Sequence, residues 1–357
     1  MKKLLVIALL IPALYSAAAA APGGRESVTL VTRGPIYSLA ADGDRAALAI
    51  NAPGTCGRIV VWEPRNRRVV PFRPLIGGCD NGRFGGLGSV ALAGTRVGWL
   101  ETAGGMTYES HVATATLARR RTVELAEGSM PDSYSGDRAG DPVGDGRLLA
   151  FNVDLICGDP DSGGDPPCPP GRAEGDIVDA TVSRAARHGR CFRYRTDYPA
   201  GRCARVAHAK GELTVLAVDA GRIAVRTDNG LRLLTGRGGR LRSFPVTNAQ
   251  AAALSANRFA VRTADAIEIY DTGSGAQITS LPVASKVKLE DLDHGILVTA
   301  VDRTVTLRRL RDGKLATMHT RGTAYAQLEP PGLFVAGGRR ATFTPRRDVL
   351  RLLSGGG

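Results

Sequence analysis

The chain has 357 residues, 45 of them glycine, with a formal net charge of +13, 43% apolar residues and 5% aromatic residues. Collagen, a disordered chain and a polytopic membrane protein are excluded, because glycine shows no three-residue period and only one long apolar run is present. The length is enough for a large hydrophobic core. The basic residues are mostly arginine, as GC-rich coding sequence produces, so basicity alone is weak evidence for a nucleic-acid or membrane partner.

The N-terminus has the pattern of a secretory signal peptide. Lys2 and Lys3 precede a short apolar stretch that is followed by an alanine run ending at Ala21. We therefore expect residues 1–20 to be cleaved. An uncleaved membrane anchor is the alternative, against which Pro12 and the shortness of the apolar stretch argue. The mature protein is expected to be secreted or extracytoplasmic, free or associated with the cell wall, without a transmembrane span.

A short pattern recurs seven times along the chain: a polar turn, an arginine or glycine, and then a run of apolar residues. The arginine or glycine of each copy, which we call the anchor, stands at positions 45, 96, 147, 222, 258, 295 and 332. The intervals between anchors are 51, 51, 75, 36, 37 and 37 residues. A repeated spacing of this length is typical of solenoids and propellers.

Each regular interval contains four strand-like segments. In the copy that begins at residue 251 these are residues 251–255, 258–263, 266–270 and 277–281, which are short, rich in β-branched residues and separated by turns. Four antiparallel strands in about 40 residues form the blade of a β-propeller. The sequence therefore predicts an all-β, seven-bladed propeller, built as one domain over residues 21–353 with a tail at 354–357. The blades are expected near 37–72, 73–125, 126–204, 205–247, 248–283, 284–319 and 320–353.

The phrase Gly-Asp-Gly-Arg-Leu-Leu-Ala-Phe at residues 144–151 resembles the turn and second strand of TolB-type repeats. At the superfamily level, the region from about 37 to 345 is similar to extracytoplasmic propellers of the WD-repeat and TolB type. The Gly-His and Trp-Asp signatures of true WD repeats are absent. The resemblance implies a binding scaffold and carries over no catalytic residue.

The two ends of the chain are expected to close the ring. Residues 27–32 form a strand without a blade of its own, and we predict that it supplies the outer strand of the last blade, which removes an exposed sheet edge. Residues 346–353 fit a terminal helical turn at least as well as a strand. The alternative is that 349–353 provides the outer strand and 27–32 is a frayed terminus.

The cysteines all lie in the three long intervals and are expected to form disulfides in an exported protein. Cys56 and Cys79 fall on the same predicted face of the propeller disc, which makes a Cys56–Cys79 disulfide geometrically reasonable. Cys157 and Cys168 bracket one long loop, and a local Cys191–Cys203 bridge is the least determined of the pairings. Within the loop of blade three, Asp159, Asp161 and Asp165 offer oxygen ligands for calcium, although ordinary turn chemistry explains the same residues. We otherwise expect no cofactor.

Arginine collects in the turns between the third and fourth strands, on the face opposite the cysteine loops. These turns contribute Arg65, Arg67, Arg68, Arg119, Arg120, Arg121, Arg237, Arg240, Arg242, Arg308, Arg309 and Arg311. The anchors Arg45, Arg96, Arg147, Arg222 and Arg258 stand beside the same face. Such a basic face could dock an anionic partner, or it could be a solvated surface that nearby acidic residues offset.

Linear catalytic motifs are absent: the histidines have no metal-ligand spacing, and no nucleophile elbow or phosphate-binding loop occurs. We expect a monomeric binding scaffold whose partner is a protein or an anionic cell-envelope polymer and not a nucleic acid. One alternative is an extracytoplasmic hydrolase or lyase with its site at the central channel mouth. Carboxylates or histidines converging at that mouth would favour this alternative. The other alternative is a structural cell-wall protein held by the arginine-rich face.

Overall fold

A computed structural model of the chain describes residues 27–51, 57–76, 84–104, 107–131, 135–158, 167–174, 176–185 and 203–355. Within these ranges the chain forms seven antiparallel sheets. The sheets follow one another around a ring in chain order, so the predicted seven-bladed β-propeller is confirmed. The predicted signal peptide lies outside the described residues. Among the described helices, none has the length and apolar character that crossing a membrane requires.

The first three blades belong to the part of the chain with long repeat intervals. Strand β1 (Val28–Val31) precedes them. Blade one consists of β2 (Ile36–Asp42), β3 (Arg45–Ile50), β4 (Arg58–Glu63) and β5 (Arg68–Phe72). Blade two consists of β6 (Phe84–Ala93), β7 (Arg96–Gly104), β8 (Thr107–Thr116) and β9 (Val123–Pro131). Blade three has a split inner strand and consists of β10 (Gly136–Ala139), β11 (Val143–Asp145), β12 (Leu148–Ile156), β13 (Ile177–Arg184) and β14 (Ala204–Ala209).

The last four blades are regular. Blade four consists of β15 (Leu213–Asp219), β16 (Arg222–Thr227), β17 (Gly230–Thr235) and β18 (Arg240–Phe244). Blade five consists of β19 (Ala251–Ser255), β20 (Arg258–Arg262), β21 (Ala266–Asp271) and β22 (Gln277–Pro282). Blade six consists of β23 (Lys288–Asp293), β24 (Ile296–Val301), β25 (Thr304–Arg309) and β26 (Leu315–His319). Blade seven consists of β27 (Tyr325–Glu329), β28 (Gly332–Gly337), β29 (Arg340–Pro345) and β1.

Two outer strands extend beyond the blade limits that the sequence suggests. Strand β9 ends at Pro131 instead of near 125, and β14 starts at Ala204, so it completes blade three instead of opening blade four. Both differences fall in the long intervals, where inserted residues hide the repeat period.

The ring closes as predicted, because β1 pairs with the outer edge of β29. Val28 lies opposite Phe343, and Val31 lies opposite Arg340. The C-terminal segment forms helix α1 (Arg346–Leu353), which begins directly after Pro345 and buries Val349 and Leu353. The helix therefore leaves the outer position of blade seven to the N-terminal strand.

The hydrophobic core is divided among the junctions between blades. Seven clusters of buried apolar side chains occur, one at each junction of neighbouring blades. At the junction of blades one and two, Ile59 and Trp99 are fully buried in one such cluster. Val349 and Leu353 of α1 complete the cluster between blades six and seven. Each blade thus buries its faces against both neighbours, which is why the regular blades need no cross-link.

Antiparallel order assigns the turns to the two faces of the disc. Turns between the first and second strands and between the third and fourth strands emerge on one face, which we call face A. Turns between the second and third strands, and the connections to the next blade, emerge on the other, face B. The first strands of neighbouring blades contact one another and surround the central channel.

Candidate functional site

Acidic side chains surround the channel mouth on face A. The inner strand of five blades ends in a carboxylate residue, and these residues are Asp42, Asp145, Asp219, Asp293 and Glu329. The remaining two inner strands end in Ala93 and Ser255. The sequence analysis missed this group, although its signal was present: an acidic residue stands two or three positions before most anchors.

The channel side chains accept hydrogen bonds from the backbone of the next blade. The Glu329 carboxylate accepts from the Gly43 amide at 3.0 Å, and the Asp145 carboxylate accepts from the Ala220 amide at 2.8 Å. Asp42 accepts in the same way from Gly94. The hydroxyl of Ser255 takes this role at the junction of blades five and six, accepting from the His294 amide at 3.0 Å. The side chains at the mouth therefore also join neighbouring blades along the inner edge of the ring. We call this line of contacts the seam.

Two further carboxylates extend the seam into the channel from β23. Glu290 accepts a hydrogen bond from the Ala326 amide at 3.1 Å, and Asp291 accepts from the Leu328 amide at 2.7 Å. A register shift between Leu289 and Asp291 in the pairing of β23 with β24 interrupts the regular alternation of side chains. Both carboxylates therefore accept hydrogen bonds across the same junction, between blades six and seven.

Burial raises the pKa values of several of these carboxylates. Burial, and then the neighbouring Asp291 carboxylate, raise the pKa of Glu329 to about 9. Burial raises the pKa of Asp291 to about 7 and that of Glu290 to about 7. Burial also raises the pKa of Asp145, with a smaller contribution from Asp42. Part of the acidic mouth therefore carries protons near neutral pH, because removal from water disfavours the ionised forms.

An arginine-lined groove lies beside the mouth on face A. It has a volume of about 660 Å³ and is formed by the first turns of blades five and six, the third turn of blade six, and α1. Its arginines are Arg258, Arg309, Arg311 and Arg346. We call it the arginine groove.

Two arginines of the groove hold the surrounding structure together. Arg346 pairs with Asp293, and Arg309 pairs with Asp312 and donates to the Leu353 carbonyl at 3.4 Å. The other two have donors to spare. The Arg258 side chain has no hydrogen bond or ion pair to another described residue, and the Arg311 side chain, 74% exposed, approaches Asp312 only at 3.8 Å.

The remaining predicted arginines lie around the periphery of face A. Arg65 pairs with Asp44 at 3.6 Å, Arg68 pairs with Glu63 at 3.8 Å, and Arg242 donates to the Ser274 carbonyl at 2.9 Å. Within the described ranges, the other predicted side chains have no such partner, and these are Arg67, Arg119, Arg120, Arg121, Arg237, Arg240 and Arg308. Arg65 and Arg67 also line a second groove of about 820 Å³ beside β1. Face A thus has an acidic centre and a basic periphery.

Three of the five anchor arginines have partners among the described residues, and two of these three join neighbouring blades. Arg96 donates to the Arg147 carbonyl at 2.8 Å, in the corresponding turn of the next blade. Arg222 donates likewise to Ala256 and pairs with Asp219. Arg45 pairs with Glu63 of its own blade at 3.1 Å. These arginines contribute less to the free positive charge of face A than their number suggests.

The structure describes part of the predicted cysteine and calcium chemistry. The predicted Cys157–Cys168 disulfide is present, between the second and third strands of blade three. Cys203 is disulfide-bonded and directly precedes β14, on the side of face A. Its predicted partner Cys191 lies outside the described residues, as do Cys56, Cys79 and the calcium candidates Asp159, Asp161 and Asp165.

Comparisons with known proteins identify the fold. No family model matches the sequence, and no curated protein matches it. The chain is similar in structure to a chain of a mitotic checkpoint complex, with a TM-score of 0.54 and 13% identity over 96% of this chain and 99% of that chain. It is also similar to the β-propeller domain of Cps50 (Swd1) from Myceliophteria thermophila, with a TM-score of 0.50 and 11% identity over 89% and 99% of the two chains. At this level of identity the two likenesses show the fold alone, a β-propeller, and the resemblance to the WD-repeat and TolB type stays a prediction.

Proposed function

We propose that this protein is an exported binding scaffold that takes up an acidic segment of a partner protein in the arginine groove. The observation that carries the proposal is the charge of this groove. Four arginines from separate elements converge there, and the carboxylates of Asp293 and Asp312 offset only part of their charge. The planar guanidinium group pairs with carboxylates through two parallel hydrogen bonds, which suits glutamate and aspartate side chains.

The size and position of the groove support the proposal. A volume of about 660 Å³ is in the range of a site for a few side chains. Arg258 and Arg311 can bind a ligand without giving up a strong contact. The acidic mouth beside the groove would repel the same ligand, so the charge pattern favours one orientation of the partner over others.

Export is supported by the N-terminal sequence pattern and by the Cys157–Cys168 disulfide, since disulfides persist in oxidising compartments. A location at the cell surface or in the extracytoplasmic space follows from this proposal. A protein partner is consistent with the likeness in fold to a chain of a mitotic checkpoint complex, since that chain is part of a complex.

The proposal is tested with a matched pair of double variants. Arg258→Ala/Arg311→Ala removes the two arginines with spare donors, and Arg237→Ala/Arg240→Ala removes the same charge from blade four, outside the groove. Binding of a fluorescently labelled glutamate-rich peptide is measured by anisotropy over a range of salt concentrations. We expect the groove variant to weaken binding at least tenfold, or about 1.4 kcal/mol, and the control to weaken it much less. Equal weakening in both variants would show that only the overall charge matters.

A parallel titration separates the two kinds of anionic partner. An anionic cell-wall polymer replaces the peptide in the same assay, with the same two variants. Binding of the polymer without binding of the peptide would reject a protein partner and favour the structural cell-wall alternative. Binding of either probe that is unchanged between low and high salt would reject an electrostatic dock.

A second candidate function, catalysis at the channel mouth, is favoured by the convergence of carboxylates there. Glu329, with a raised pKa, is protonated at neutral pH and could act as a general acid beside Asp42. The hydrogen bonds that these residues accept from backbone amides favour a structural role instead. Hydrolysis of chromogenic glycosides or esters by the wild type, lost in Asp42→Asn, would support catalysis. Turnover that is retained in Asp42→Asn would assign it to another site.

A further inference from the structure

A separate cluster of ionisable side chains lies on the outer half of blade two. His111 on β8 and both Glu124 and Glu127 on β9 have ligand atoms that all lie within 4.8 Å of one another. The closest pair is His111 Nδ1 and Glu124 Oε1, at 2.7 Å. None of these residues takes part in the arginine groove or the channel seam.

A β-bulge brings the two glutamates to the same side of the sheet. Residues three apart in a regular strand point to opposite faces, so Glu124 and Glu127 would otherwise diverge. The pairing of β8 with β9 shifts between Val112 and Ala113, which places Glu127 opposite His111 and Glu124 opposite Ala113. Because Ala113 shares a face with His111, the bulge turns both carboxylates toward the imidazole.

The imidazole of His111 is buried and incompletely paired. His111 is only 9% exposed, and its Nε2 atom is buried without a hydrogen-bond partner in the described part of the chain. The Oε2 atom of Glu109 is the charged group facing it, at 3.7 Å, beyond hydrogen-bond distance. When the ring proton is on Nε2, the Nδ1 lone pair and the Glu124 oxygen are two acceptors facing each other at 2.7 Å, and a cation between them would satisfy both.

We propose that His111, Glu124 and Glu127 bind a divalent transition-metal ion, with zinc as the representative. The metal would take the Nδ1 lone pair of His111 and one oxygen from each glutamate. The ring proton then resides on Nε2, on the side of Glu109, whose Oε2 atom lies 3.7 Å away. One imidazole with two carboxylates suits zinc or manganese, whereas calcium prefers oxygen ligands throughout. Three protein ligands leave a coordination position for water or an anionic group.

The main alternative is a metal-free ion-pair cluster, in which a doubly protonated His111 lies between Glu124 and Glu109. The two arrangements differ in the state of Nδ1, which carries a proton in the ion-pair cluster and a metal in the proposed site. They also differ in stoichiometric zinc binding, which only the proposed site provides.

The test uses untagged mature protein that has been treated with EDTA and desalted. Zinc binding is measured by isothermal titration calorimetry for the wild type, His111→Gln and Glu127→Gln. His208→Gln is the matched control, because His208 pairs with Asp179 at 2.7 Å on blade three, outside the cluster. We expect one zinc ion per wild-type chain, an affinity at least about tenfold lower in both cluster variants, and an unchanged affinity in the control. Excess calcium is expected not to displace the zinc.

Glu127→Gln keeps the test informative should His111→Gln fail to fold, because it leaves the imidazole in place. Nitrogen NMR of His111 provides an independent measurement, with Nδ1 expected to lose its proton when zinc is added. Absence of zinc binding in the wild type, unchanged affinity in both cluster variants, displacement by calcium, or a doubly protonated His111 in the presence of zinc would each overturn the proposal.

Discussion

The carboxylate of Glu329, at the end of the inner strand of blade seven, accepts a hydrogen bond from the amide of Gly43 in the first turn of blade one at 3.0 Å. The two residues are 286 positions apart in the sequence, and the contact crosses the junction at which the ring closes. Gln327 accepts from the Ala41 amide at 2.6 Å one step deeper in the same seam. The ring is therefore closed on the inside by side chains of β27 and on the outside by β1.

Replacement of Glu329 by glutamine is expected to change the pH dependence of stability. The pKa of Glu329 is raised to about 9 in the folded protein, from 4.5. Its contribution to stability is therefore complete below about pH 4.5 and is lost as the pH rises through 9. Asp291 and Glu290, with pKa values raised to about 7, also contribute stability at low pH, and this contribution is lost as the pH rises through 7. Because glutamine has no proton to lose, Glu329→Gln should be more stable than the wild type at pH 9, by at least about 1.4 kcal/mol.

Thermal unfolding at pH 5, 7 and 9 measures this effect. The difference between the variant and the wild type should be near zero at pH 5 and should increase at each higher pH. Glu174→Gln, in an exposed loop of face B, is the control and should give a constant difference. A constant difference for Glu329→Gln as well would show that Glu329 is ionised in the folded protein.

Arg262 is predicted to be the most sensitive basic residue of the regular blades. It is 2% exposed and donates to the Val287 carbonyl at 2.9 Å and to the Ala284 carbonyl at 3.0 Å, both in the connection from blade five to blade six. Arg262→Met keeps the apolar stem but leaves these acceptors without donors. We expect it to lower the free energy of unfolding by about 2–4 kcal/mol, as measured by urea denaturation.

Arg226 provides the matched control for Arg262, because it stands at the corresponding position of blade four. It donates to the Ala249 carbonyl at 2.8 Å but is 31% exposed, so water can replace its contacts. Arg226→Met should therefore cost clearly less than Arg262→Met. Equal losses would mean that burial does not determine the contribution of this arginine.

The sequence predicted the fold well because every blade repeats the same short-range pattern. The anchors set the blade count, and the strand limits in blade five agree with those predicted to within one residue. Strand β1 was identifiable since it had no blade of its own. The boundaries of blade three were less predictable, because the inner strand is split around Gly140 and the insertions carry no period.

The candidate site was less predictable, because it depends on contacts between repeats. The anchor Arg222 suggests a basic surface when it is considered alone, yet it pairs with Asp219 and donates to the next blade. The arginine groove needs α1 beside blade six, a placement that no local pattern indicates. The cluster around His111 depends on a bulge in β9, which shifts the alternation of side chains at a place where the sequence looks regular.

Substitutions in β1 are expected to show how much the N-terminal strand stabilises the ring. Leu30 packs against the cluster between blades seven and one, whereas the neighbouring Thr29 points outward and is exposed. Leu30→Lys should lower the free energy of unfolding by about 1–2 kcal/mol, because it removes apolar burial. Thr29→Lys, on the same strand, should change it by less than about 0.5 kcal/mol. For both variants, stability is measured by thermal unfolding, and release of the N-terminal strand by the rate of protease cleavage after residue 26. Equal effects of Leu30→Lys and Thr29→Lys would contradict the packing role of Leu30.

Removal of the Cys157–Cys168 bridge is expected to destabilise blade three without abolishing the fold. The bridge spans 11 positions, and a loop of that size corresponds to about 2–3 kcal/mol in the chain-entropy description. Cys157 is fully buried, so Cys157→Ala/Cys168→Ala retains an apolar group there. The double variant isolates this bridge, whereas a reducing agent would also open the disulfide of Cys203.

The expected result for the cysteine variant is a lower urea midpoint with a similar denaturant slope. Two backbone contacts hold the base of the same loop independently of the disulfide. They are the β-bridge between Gly158 and Pro167 and the hydrogen bond from the Cys168 amide to the Gly158 carbonyl, at 3.2 Å. If these backbone contacts alone fixed the loop, the double variant would unfold at the wild-type midpoint. A loss of about 2–3 kcal/mol would instead show that the covalent link restricts the unfolded chain, which is the contribution that an oxidising compartment preserves.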